Sequence, residues 1–199
     1  MKAEDIRTIS VIGAGFMGCG IAQVFASKNY NVRLYNRPHP EDAKGDFLSK
    51  RVENIRSILS LMARKGGGLE REIEATISRV KTTTSMDEAT SDAQLVIENV
   101  SENLELKQKV FQELDRLCPP ETILATNTSV MSPTEIAAKA RHRERILGAH
   151  FWNPPYLIPL VEVVKGRETS EEAMEITYQV MKLAGKHPIK VMKDVPGFV

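Results

Sequence analysis

His150 and Glu162 stand at the two ends of the stretch H-F-W-N-P-P-Y-L-I-P-L-V-E, with Asn153 three positions past the histidine. A histidine changes charge near neutral pH, so it suits taking a proton from a hydroxyl while hydride leaves the adjoining carbon. A carboxylate bonded to the other ring nitrogen would fix the tautomer and steady the imidazolium. The same chain opens with Gly13-Ala14-Gly15-Phe16-Met17-Gly18, a glycine spacing suited to a dinucleotide. There Gly13 would permit the tight turn, Gly15 the approach of a pyrophosphate, and Gly18 the close packing of helix on strand. A helix starting near Phe16 would aim its unbonded N–H groups, and the positive end of its dipole, at those phosphates. Either feature alone is ambiguous. A phosphate cradle and a proton-transferring histidine in one chain together suggest hydride chemistry.

Those side chains need elements to hold them. Ile6–Ile12 reads as a buried strand running straight into glycine, and Phe16–Lys28 as a helix with Ile21, Ala22, Val24, Phe25 and Ala26 on its apolar side. Asn31–Asn36 reads as the next strand, which Arg37-Pro38-His39-Pro40 cannot continue because proline lacks a donor. Strand, glycine turn, helix and strand within about thirty residues make a βαβ unit. Glu41–Arg64 reads as a long helix stopped by Gly66-Gly67-Gly68, with a short helix over Leu69–Ser78. Ala93–Val100 and Thr122–Thr126 read as strands on either side of a Leu104–Leu117 helix. Ser132-Pro133-Thr134-Glu135 has a serine cap, proline in first position and an acid in the first turn of another helix. Arg145–Phe151, Leu160–Val164 and Ile189–Met192 complete the strands, with a Ser170–Leu183 helix between the last two. This alternation implies an α/β fold of the Rossmann type, a doubly wound and mainly parallel sheet.

The 199 residues suffice for one core, and 42% hydrophobic with 27% charged residues is an ordinary globular composition. A net charge of +1 gives no electrostatic case for nucleic acid or an acidic membrane surface as partner. Cys19 and Cys118 lie far apart without CxxC spacing, which argues against a disulfide scaffold or a zinc site and fits a reducing compartment. The first residues carry acids ahead of a short apolar run, unlike a signal or transit peptide. No apolar run approaches the roughly 20 residues of a membrane helix. A soluble, cytoplasmic protein is expected.

Further site residues follow from position. At the end of the second strand, about twenty residues past the glycines, an acid would normally hold the adenosine ribose of NAD. This chain has Asn36 followed by Arg37; asparagine does not repel a 2′-phosphate and arginine can pair with one, so NADP stays open beside NAD. Ser129, in Asn127-Thr128-Ser129, follows a strand at the carboxyl edge where such sheets bind ligands, and either binds a substrate oxygen or simply turns the chain. His39, His142 and His187 sit in polar or turn-like settings without a matching acid and are read as structural.

Taken together, GAGFMGCGIA, VIENVSENLELKQKVF, ATNTSV, HFWNPPYLIPLVEVV and GKHPIKVMKDVPGF resemble the NAD-binding domain of the L-3-hydroxyacyl-CoA dehydrogenases over almost the whole chain. The resemblance implies that His150 and Glu162 are a catalytic pair, and that Ser129 and Asn153 hold the reacting oxygen and the nicotinamide end. It implies that Glu102 and Lys107 contact the cofactor, and it places Lys65 like a lysine that contacts CoA, though a lysine closing a helix needs no such role. The implied reaction is reversible oxidation of a 3-hydroxyacyl-CoA to its 3-oxo form with NAD, in fatty-acid and hydroxybutyryl-CoA metabolism and β-oxidation. Asn36 departs from the family's ribose-binding aspartate, and Val130 from a second serine. The N-P-P-Y-L-I-P-L-V-E wording also resembles the gulonate dehydrogenase and lambda-crystallin branch and, more loosely, carnitine dehydrogenases, which act on small hydroxy acids without CoA. A nucleotide-binding fragment without catalysis is a further alternative. Residues 1–193 are expected to form the dinucleotide-binding domain, and 194–199 a hinge into a helical C-terminal domain that is absent from this chain. In the resembled family that domain supplies the homodimer contact.

Overall fold

In the computed structural model, which describes residues 1–38, 45–66, 70–195 and 197, the apolar run after Arg7 forms β1 (Thr8–Ile12), buried at every position. It pairs in parallel with β2 (Asn31–Tyr35) on one side and β4 (Leu95–Glu98) on the other. Beyond β2 lies β3 (Val80–Thr83). Beyond β4 follow β5 (Ile123–Thr126), β6 (Ile146–Phe151), β7 (Leu160–Val164) and β8 (His187–Val191). Every neighbouring pair is parallel except β6 with β7. The chain order reverses between β1 and β4, the switch point at which open α/β sheets form a ligand crevice.

Helices cover both faces, which is why the inner strands are apolar on both sides. In β4, Leu95 and Ile97 enter one core and Val96 the other. The first core takes Ile21 and Phe25 of α1 (Phe16–Ala26), Ile55 of α2 (Phe47–Arg64), Ile73 of α3 (Ile73–Ser78) and, further along the chain, Val180. The second takes Ala89 of α4 (Met86–Thr90), Val110, Phe111 and Leu114 of α5 (Leu104–Leu117), and Ile136 of α6 (Pro133–Ile136). Val180 belongs to α7 (Glu171–Leu183). At about 1.5–3 kcal/mol for each large side chain fully buried, these two layers supply most of the drive to fold. Side-chain caps fix where four helices begin: Ser85 Oγ accepts from Glu88 N–H at 3.3 Å, Asn103 Oδ1 from Leu106 N–H at 2.9 Å, Ser132 Oγ from Glu135 N–H at 3.1 Å, and Ser170 Oγ from Ala173 N–H at 3.1 Å.

Several expected boundaries move. The long helix starts at Phe47 rather than Glu41, and residues 39–44, including His39 and Pro40, lie outside the described residues. Leu69–Ser78 divides into a 3-10 turn at Glu70–Glu72 and α3, with Gly67, Gly68 and Leu69 also outside them. The first strand begins at Thr8, after a 3-10 turn at Ala3–Asp5. β8 begins at His187 instead of Ile189: among the described residues it pairs with β7 alone, and on an edge the N–H that Pro188 lacks is not missed. β3 and α4 were not anticipated from sequence. Of the histidines read as lacking an acid, His142 has one, with Nδ1 lying 3.1 Å from Asp115 Oδ1, and His187 is exposed in a strand rather than a turn. Asp194, of the expected hinge, ties back to the start of α6 through Ser132 Oγ–H at 2.6 Å and Thr134 N–H at 3.0 Å. Pro196, Phe198 and Val199 lie outside the described residues.

Candidate active site

The glycine loop joins β1 to α1 as its spacing requires. Gly13 has φ +105°, and a Cβ there would lie 2.7 Å from the Asn99 carbonyl oxygen. A Cβ at Gly18 would collide with the Gly13 carbonyl. Gly15 differs, since a Cβ built on it meets nothing within 4 Å. The fold does not demand glycine there, but a pyrophosphate approaching the backbone would. The first turn of α1 holds no acid and its N-cap, Gly15, makes no side-chain cap bond, so its N–H groups suit phosphate. Phe16 is exposed above the turn. Asn36 closes the loop from β2: its Oδ1 accepts the Ala14 N–H at 3.2 Å, and its Nδ2 donates to the Arg37 carbonyl at 2.7 Å. Arg37 is exposed. These residues fit a dinucleotide.

The histidine and glutamate meet because β6 and β7 run antiparallel, in a register that sets His150 directly opposite Glu162. His150 Nδ1 and Glu162 Oε2 are 2.6 Å apart. A carboxylate only accepts, so Nδ1–H donates, and proton exchange with a substrate falls to Nε2. Glu162 is fully buried and His150 partly so. Side chains alternate along a strand, which sends Phe151 into the core, 6.1 Å from Phe25, and returns Trp152 to the side of His150. Trp152 Nε1–H donates to the same Oε2 at 3.1 Å. The end of β6 is fastened to the end of β5 by Asn127, whose Oδ1 accepts the Phe151 N–H at 2.7 Å.

A cavity of about 590 Å³ opens onto this edge of the sheet, and His150, Glu162, Ser129, Asn153, Glu102, Lys107 and Met17 all line it. Lys107 is buried; its Nζ donates to both oxygens of Glu98, at 2.8 and 3.1 Å, and to the Val100 carbonyl at 3.2 Å, and lies 3.7 Å from Glu102. Burial pushes the Glu98 carboxyl up, against the Lys107 charge and hydrogen bond, the Thr126 hydroxyl and the Val100 N–H, which favour its ionised form. Glu102 accepts from Thr128 Oγ–H at 2.8 Å. Lys65 stands apart: it ends α2, exposed, and does not line the cavity. Cys19 and Cys118 are buried free thiols, pushed up to about 11 and about 12 chiefly by that burial, so neither is a ready nucleophile.

Sequence reasoning gave no role to Trp152 or Glu98. Glu98 had a signal, an acid closing the otherwise apolar L-V-I-E. Trp152 had one only once β6 was known to carry His150 and its second neighbour on one side.

Fold and cavity together define the class, a dinucleotide-binding α/β domain with a His–Glu pair at the carboxyl edge of its sheet. A family model described as "3-hydroxyacyl-CoA dehydrogenase, NAD binding domain" matches residues 8–195, and the chain belongs to that family. NAD is accordingly the dinucleotide its cradle takes. The chain is 40% identical over 195 residues to a probable 3-hydroxybutyryl-CoA dehydrogenase of Bacillus subtilis (strain 168), covering 98% of this chain and 65% of that protein. It is 37% identical over 199 residues to the mitochondrial hydroxyacyl-coenzyme A dehydrogenase of Rattus norvegicus, covering 98% of this chain and 61% of that one. The crystal structure of 3-hydroxybutyryl-CoA dehydrogenase from Escherichia coli K12 has a TM-score of 0.89 at 38% identity, covering 98% of this chain and 39% of that one. The chain therefore spans between 39% and 65% of the length of these proteins.

Proposed function

We propose that the whole protein is an NAD-dependent dehydrogenase that interconverts (S)-3-hydroxyacyl-CoA and 3-oxoacyl-CoA, serving hydroxybutyryl-CoA or fatty-acid metabolism, including β-oxidation. The observation that carries this reading is the 2.6 Å bond from His150 to the buried Glu162, at a cavity that Met17 of the glycine loop also lines. NAD, when bound, supplies the hydride acceptor. His150 Nε2 takes the proton of the substrate hydroxyl as hydride leaves, and Glu162 keeps the ring turned and balances the charge it gains. Ser129 and Asn153, which line the same cavity as the histidine, hold the reacting oxygen and the nicotinamide end. Glu102 and Lys107 contact the cofactor from the start of α5, where Glu98 and Val100 fix the ammonium.

His150→Ala or Glu162→Gln in the full-length protein is expected to lower kcat by roughly 10²- to 10⁴-fold, the usual worth of a positioned general base. Near-normal turnover of either variant overturns the assignment. Comparing kcat/KM for acetoacetyl-CoA with that for free acids of the gulonate or carnitine kind separates a thioester enzyme from one acting on small hydroxy acids.

A further inference from the structure

We infer that Trp152 is a positioning residue of the His150–Glu162 pair, its indole N–H sharing the one carboxylate oxygen that holds the imidazole. This rests on reading His150 as the proton acceptor. The two donors come from one strand end: His150 and Trp152 are second neighbours on the same side of β6, and both reach Glu162 Oε2, at 2.6 and 3.1 Å. The last torsion of a glutamate is broad, so each donor to its carboxylate narrows the tilt that carboxylate can take. Trp152, one residue past the end of β6, supplies a second donor to it. Trp152 also keeps its ring over the pair, with centroids 5.9 Å from the His150 ring, while remaining 41% exposed at the cavity wall.

The shared oxygen has an electrostatic consequence. An N–H donated to a carboxylate draws charge toward itself, so less negative charge faces the imidazole. Without the indole, the oxygen would hold a positive ring more tightly and release its proton less readily. Among the described residues, the other ionisable groups lining the cavity are Glu102 and Lys107, with Glu98 buried behind Lys107. Across β6, Lys186 lies 6.0 Å over the Phe151 ring, and Asp194 caps α6. None of these changes when Trp152 is replaced, so a comparison of variants isolates the indole.

Two replacements divide its roles. Trp152→Phe keeps a ring and removes the donor. Trp152→Gln removes the ring but carries an amide N–H as many bonds from Cβ as the indole nitrogen. In the full-length protein, ring-labelled histidine followed by NMR against pH gives the midpoint at which the His150 signal switches, with His150→Ala assigning the peak. Trp152→Phe is expected to raise that midpoint by about half a unit, a roughly threefold change in proton affinity. The acid limb of the kcat/KM profile should move the same way, with kcat several-fold lower and KM unchanged. Trp152→Gln should restore the parent midpoint. A Phe variant titrating like the parent, or a Gln variant displaced as far as the Phe variant, overturns the inference. The NMR midpoint needs no turnover: a shift there with kcat/KM unmoved would leave the indole's role standing and remove His150 as the base.

Discussion

Asn36 is the position at which a single added charge is expected to change the choice between the two dinucleotides. Both ends of its amide are committed to the backbone, one to Ala14 and one to Arg37, so it fastens the glycine loop to the end of β2 without adding charge. An aspartate could still accept the Ala14 N–H, but it would lose the bond to the Arg37 carbonyl and add a negative charge near the adenosine ribose. Two unit charges about 4 Å apart at an effective dielectric of about 20 interact by about 4 kcal/mol, and solvent at this half-exposed site leaves only part of that. Asn36→Asp is therefore expected to weaken NADPH at least about tenfold relative to NADH, read as the ratio of Kd values in fluorescence titrations. A ratio unchanged by the substitution would mean that the side chain does not face the ribose.

At the scale of elements, the turn between β1 and α1 separates what the fold needs from what the ligand needs. Gly15→Ala should leave the melting temperature within a degree or two of the parent, since its methyl enters open space, yet weaken NADH by more than about tenfold by standing where the pyrophosphate approaches. Gly18→Ala should lower both, because its methyl meets the Gly13 carbonyl and forces α1 off β1. Equal effects of the two would put the glycines in one structural role. This turn was legible in the sequence because one apolar strand, three glycines and one largely apolar helix agree over adjacent residues. β3 was not legible: V-K-T-T buries only its two ends, so it shows neither an apolar run nor strict alternation. α4 is a five-residue helix set by a Ser85 cap, too short for a period to show. The catalytic candidates were visible as residue types at a spacing. Their meeting depends on β7 turning back against β6 in one register, and register comes from contacts between strands that no single segment displays. The donor role of Trp152 follows from that same register, which is why its type alone gave no hint of it.

At the scale of the molecule, the strand that bears His150 is anchored at its opposite end by a buried ion pair. Arg145, just before β6, donates to Asp115 Oδ1 at 2.8 Å and to the Asp115 carbonyl at 2.8 Å, which ties the last turns of α5 to the root of β6. Asp115 also accepts the Arg141 N–H at 2.7 Å, the His142 N–H at 3.3 Å and a contact from the exposed His142 ring. Burial alone would push this carboxyl up. The Arg145, Arg141 and His142 hydrogen bonds outweigh it and hold the group below its ordinary value. A carboxyl depressed in the folded state stays ionised where the unfolded chain takes up a proton. Its contribution is therefore present above the unfolded value, about 3.9, and disappears as pH falls through the folded one. Asp115→Asn leaves the Arg145 charge buried without its partner, which costs about 3 kcal/mol or more at pH 7. Asparagine does not titrate, so the gap in unfolding free energy between parent and variant should narrow below about pH 4, as the parent alone gives up its ionised carboxylate. Denaturant melts at pH 7 and at about pH 3 measure both gaps. A gap of the same size at the two values would assign the loss to packing around α5 and take the charge of Asp115 out of the anchor.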